Sequence, residues 1–145
     1  MRGTSIEVTM SGIFRRNRTE TGLEFWDTAV EIKREVTRFL MNPNNVPKSY
    51  RFVFTFRIIG LTFDLRDAIT RANTTFPVNE HELQRRKDFQ QDAINTNEAI
   101  IQNLQDMLDV LTGIDADKLD HIGDLLIRES ALLRAWRKSS KLMKR

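Results

Sequence analysis

The chain has no cysteine, which excludes a disulfide scaffold and any thiolate-bound metal and points to a reducing, cytoplasmic setting. No window approaches the roughly 20 apolar residues that a membrane-spanning helix needs, and Arg57 interrupts the best candidate, so no membrane contact is expected. The N-terminal residues carry arginines but no apolar run, which argues against a secretory signal. The six glycines are scattered, so there is no glycine-rich phosphate loop. His81 and His121 are isolated from each other and from any metal-ligand spacing. No arginine precedes either histidine at the spacing of small helical-bundle RNases, and no ExxE pair of a metal-dependent helical pyrophosphatase occurs. The expectation is a protein without catalytic residues, metal or cofactor.

What is present fits one soluble domain: 145 residues, 40% hydrophobic and 30% charged. The net charge is only +3, but it is unevenly spread. Arg134, Arg137, Lys138, Lys141, Lys144 and Arg145 close the chain with no acid among them, whereas residues 101–130 are predominantly acidic. Such asymmetry favours a polyanion at one place on the surface.

Residues 1–21, with Arg15, Arg16 and Arg18, show no period and read as a flexible basic arm; 22–141 read as a bundle and 142–145 as a basic tail. Four apolar-periodic segments are predicted. The first, near 23–41, places Phe25, Ala29, Ile32, Val36 and Leu40 on one helical face and ends at Asn42-Pro43-Asn44-Asn45. The second, near 48–73, lies between Pro47 and Pro77. The third starts at Asn79, with Glu82 placed for a capping box, and stops at Thr112-Gly113. The fourth runs from an expected acidic cap at Asp117 to about Lys138, where its cations suit the helix dipole. Short connections make an all-α, antiparallel up-down four-helix bundle the expected architecture.

In the second segment Phe52, Phe54, Phe56 and Ile58 alternate as in a strand, yet Leu61, Leu65, Ile69 and Ala72 continue with helical spacing. Projected on a helix, the segment has two apolar stripes. Tyr50, Phe54, Ile58, Leu61, Leu65, Ala68 and Ala72 are assigned to the core. Phe52, Phe56, Ile59 and Phe63 would form a patch too large for a monomer surface, and are assigned to an oligomer interface.

Glu129 falls within the apolar face of the fourth helix, at the level of Asn97 and Arg57 if neighbouring helices are antiparallel. A buried polar cluster of Arg57, Asn97 and Glu129 is expected, fixing register rather than performing acid catalysis. Cations gather as Arg85, Arg86 and Lys87 at the start of the third helix, and as Arg134, Arg137, Lys138 and Lys141 near the end of the fourth. With the arm, these are the candidate nucleic-acid-binding residues.

Three stretches, VPKSYRFVFTFRIIGLTFDLRDAITRAN (46–73), FPVNEHELQRRKDFQQDAI (76–94) and LLRAWRKSSK (132–141), together resemble the accessory variability determinant (Avd) family of diversity-generating retroelements. That family is similar in turn to four-helix-bundle proteins encoded in intervening sequences of large-subunit ribosomal RNA genes. The resemblance covers about residues 23–141. It implies a homopentameric ring without catalysis of its own that binds a reverse transcriptase, RNA and possibly DNA, and supports mutagenic reverse transcription. The alternative is a structural protein of the intervening-sequence type with no reverse transcriptase partner.

Overall fold

The structure is a computed structural model that describes residues 23–144. Arg15, Arg16, Arg18 and Arg145 lie outside the described residues. Four α-helices carry the fold: α1 (Glu24–Met41), α2 (Phe56–Thr74), α3 (Glu80–Val110) and α4 (Asp120–Ser139). Among the described residues there is no strand, and no helix is long and apolar enough to cross a membrane.

α1 forms because its apolar residues recur every three or four positions, and Thr28, Ala29, Ile32, Val36 and Leu40 are buried as a result. Glu24 and Asp27 in its first turn and Arg38 in its last oppose the partial charges of the helix ends. Asn42–Asn45 then turns the chain: the Asn45 side-chain amide donates to Phe39 O at 3.1 Å, satisfying one of the terminal carbonyls.

The second segment is helical from Lys48 onward but not uniformly. A 3₁₀ turn (Lys48–Tyr50) and a π-helical turn (Arg51–Thr55) precede α2. The wide turn buries Phe54 and Thr55 while leaving Phe52 outside, and the Thr55 hydroxyl donates to Leu40 O at 3.2 Å, fastening it to the end of α1. Of the expected core stripe, Phe54, Ile58, Leu65, Ala68 and Ala72 are buried, Leu61 is half-buried and Tyr50 is exposed.

Asn79 caps α3, its Oδ1 accepting from the Glu82 amide at 2.8 Å. The other half of the expected box is replaced, since the Glu82 carboxylate pairs with Arg85 at 3.0 Å. At the next break the cap is Asp115, whose carboxylate accepts from the Asp117 amide, so the acidic cap lies two residues before the expected one.

α1 packs on α2 and α4, and α3 packs on α2 and α4. Ile32, Val36, Ile58, Leu65, Ile69, Ile100, Met107, Leu126 and Leu133 belong to the shared core. At one end of the molecule α2 finishes, α3 begins and α4 finishes: Arg86 reaches Ala72 O and Thr75 O, Arg137 reaches Lys87 O, and the Met143 amide donates to Pro77 O.

Candidate nucleic-acid interface

Three consecutive residues at the start of α3 have three different environments, because each step on a helix turns the side chain by about 100°. Arg85 stays exposed, ion-paired to Glu82 and lying over the Phe89 ring at 5.8 Å. Arg86 turns inward. Its Nη1 donates to Ala72 O at 3.1 Å and Thr75 O at 3.2 Å, its guanidinium lies 5.4 Å from the Trp136 ring centroid, and burial pushes its pKa down. Lys87 faces α4.

Lys87 joins Arg134, Arg137 and Lys138 around a groove of about 380 Å³ between α3 and α4, whose remaining walls are Gln91 and Ile94. Two hydrogen bonds hold the two arginines in place. Arg137 Nε donates to Lys87 O at 3.3 Å, and Arg134 Nε donates to Ser130 Oγ at 3.3 Å. Among the described residues, Glu98 pairs with a groove cation, 3.7 Å from Arg134. Both partners are more than half exposed, so this pair is screened and weak. The groove therefore keeps a net positive field. Lys141 lies outside it, in a neighbouring hollow with Arg86 and Trp136.

Four cations around a groove suit oxyanions. Lysine supplies a compact point charge and arginine a planar fork of donors, and neither arrangement reads a base. Among the described residues no group of three His, Asp or Glu could hold a metal ion.

The other apolar stripe lies near the opposite end of α2. Phe52 is 86% exposed, with Phe56 and Phe63 about half exposed. Phe52 and Phe56 meet edge to face at 5.4 Å, and Lys33 lies over the Phe63 ring at 5.4 Å. Burial, with Arg66 and Arg34 nearby, pushes the Lys33 ammonium pKa down. Ile59 is only partly exposed and packs against the core. Val53, absent from the sequence-based stripe, is also exposed and follows Phe52 on the π-helical turn.

The expected buried cluster is corrected at Arg57. That residue is exposed, and its Nε donates to Asn103 Oδ1 at 2.8 Å. Asn97 and Glu129 are fully buried, joined in the interior by Gln90. Asn97 donates to Leu126 O, one turn before Glu129, and Gln90 donates to Ser140 Oγ. Asn97 Oδ1, Gln90 Oε1 and both Glu129 carboxyl oxygens have no hydrogen-bond partner. Burial pushes the Glu129 pKa up to about 9, against an opposing pull from Arg128. At neutral pH the side chain is the uncharged acid.

Compared with known proteins, the chain matches no family model, and neither a curated protein nor a solved structure is similar to it.

Proposed function

We propose that this protein is a non-catalytic, nucleic-acid-holding accessory protein of the Avd type, which keeps template RNA beside a reverse transcriptase. The observation that carries the reading is the convergence of Lys87, Arg134, Arg137 and Lys138 on one groove. The sequence resemblance over residues 23–141 supports the choice of partner. Phosphate neutralisation supplies the affinity, and an assembly multiplies it by presenting several grooves to one strand.

The proposed architecture is an antiparallel up-down bundle, supported by contacts whose residue order opposes between neighbouring helices. Arg57 with Asn103 and Arg86 with Ala72 link α2 to α3; Glu24 with Arg128 and Glu31 with His121 link α1 to α4. The proposed assembly is a homopentameric ring, with Phe52, Phe56 and Phe63 covered by a neighbouring copy. Phe56→Glu should then lower the particle mass measured by light scattering toward the 17.0 kDa of one chain, with helix content unchanged. A parent protein already at that mass at micromolar concentration refutes the ring.

The nucleic-acid reading is tested with Lys87→Gln, Arg134→Gln and Lys138→Gln combined. These side chains are spared the Arg137 contact to backbone, so the fold should persist. RNA affinity should fall, and the slope of log affinity against log salt should decrease by about 2, at ~0.7 per lost phosphate contact on a single strand. Unchanged affinity and slope in a filter-binding titration would overturn the reading. A reverse transcriptase gene next to this one would support the partner.

A further inference from the structure

The loop between α2 and α3 projects a phenylalanine at the basic end. Phe76 is 62% exposed, although both residues flanking it are buried. The loop is firmly held. Thr75 N–H donates to Ala72 O, Val78 N–H to Phe76 O and Met143 N–H to Pro77 O, and Arg86 donates to Thr75 O. An exposed aromatic ring on a fixed support contributes nothing to the core of the single chain.

Phe76 forms the shared wall of two hollows. The larger, about 630 Å³, is also lined by Arg71, Arg85 and Phe89. The smaller, about 370 Å³, is also lined by Arg86, Trp136 and Lys141. A ring thus stands between Arg71 and Arg85 on one side and Lys141 on the other. An acidic side chain, Glu82, does enter the larger hollow; it is paired with Arg85, whose own side chain is half exposed, and offsets part of that cation's charge.

We infer that this end takes a single strand of nucleic acid rather than a duplex, with an unpaired base stacked on Phe76 and the phosphates on either side held by Arg71, Arg85 and Lys141. The inference rests on the nucleic-acid reading proposed above and gives it a substrate class. Every base has a π-face, so stacking on an aromatic ring is tolerant of sequence. In a duplex that face is covered by the neighbouring base pairs, so a projecting ring can stack only after a base step has been opened. Charge complementarity selects nucleic acid over an apolar protein segment, since cations border the ring on both sides.

The test compares the parent, Phe76→Ala, Phe76→Tyr and the groove triple variant. Each is titrated with labelled oligoadenylate of about 15 nucleotides and with duplex RNA of about 15 base pairs. Phe76→Ala should weaken the single strand by about 5- to 100-fold and the duplex by less than about twofold, and Phe76→Tyr should restore single-strand binding. Light scattering should give the same particle mass for parent and Phe76→Ala. Equal weakening of both nucleic acids, no weakening of either, or a change in particle mass would overturn the stacking inference. If Phe76→Ala changes nothing while the triple variant weakens both probes, stacking is refuted and phosphate binding stands. If the triple variant binds as the parent does, the underlying nucleic-acid reading is refuted.

Discussion

Replacing Glu129 with glutamine should make the protein more stable at pH 7.5, by about 2–4 kcal/mol, and should flatten its stability against pH. The carboxyl group is fully buried with neither oxygen partnered. Its pKa is raised from 4.5 to about 9 because burial disfavours the charged form. In the unfolded chain the same group ionises near its ordinary value. Between those two pH values the folded state binds a proton that the unfolded state does not, so stability falls as pH rises from about 4.5 to about 9. The slope approaches ~1.4 kcal/mol per pH unit. The contribution is complete below the lower value and lost above the upper one. Glutamine keeps the shape and cannot ionise, so the variant avoids this loss. Thermal melts at pH 5 and pH 8 distinguish the outcomes: the two proteins should differ more at pH 8. A variant with the parent's pH slope would show that Glu129 is not the group responsible.

Arg86→Ala should destabilise the protein by about 2–4 kcal/mol, whereas Arg85→Ala should change it by less than about 0.5 kcal/mol. Adjacent in sequence, the two arginines differ in what they touch. Arg86 donates to two carbonyls at the end of α2 and lies over Trp136, and its stem is partly covered. Truncation removes two charge-assisted hydrogen bonds, a cation–π contact and packing together. Arg86→Lys should recover only part of the loss, because an ammonium is a point charge without the planar fork. Chemical denaturation of the three variants measures the order. Comparable effects at both positions would mean that the inward contacts of Arg86 carry no net stability.

The same pair shows where sequence reading succeeds and where it stops. Helix positions were legible because their boundaries are written locally: Asn42-Pro43 ends α1, Asn79 caps α3, and the apolar period of α1 coincides with its buried residues. Side-chain direction was less legible. Arg85, Arg86 and Lys87 look like one basic cluster in a string of letters, yet one is solvated, one closes the end of α2 and one enters the groove. Arg57, expected level with Asn97 and inside, instead meets Asn103 from an exposed position; counting residues outward from a loop gives height only to within a turn or two, and azimuth depends on how the helix is rolled against its neighbours. The π-helical turn had no distinct signature, since alternating Phe52, Phe54 and Phe56 fit a strand and an irregular helix alike. Glu129 was found because a carboxylate on an apolar face is conspicuous. Its missing partner could be found only in three dimensions.

The aromatic contacts have an optical consequence. Both tryptophans lie toward the basic end, Trp136 stacked on Phe25 with ring centroids 4.0 Å apart and beneath Arg86, and Trp26 beneath Arg66. The single tyrosine, Tyr50, lies roughly 20–25 Å away along the helix direction, beside the turn that precedes α2. The chain therefore carries its own spatially separated fluorophores. Tryptophan emission reports events around the grooves and Phe76, tyrosine emission reports the end that bears Phe52, and an unlabelled titration can tell at which end of the molecule a ligand arrives.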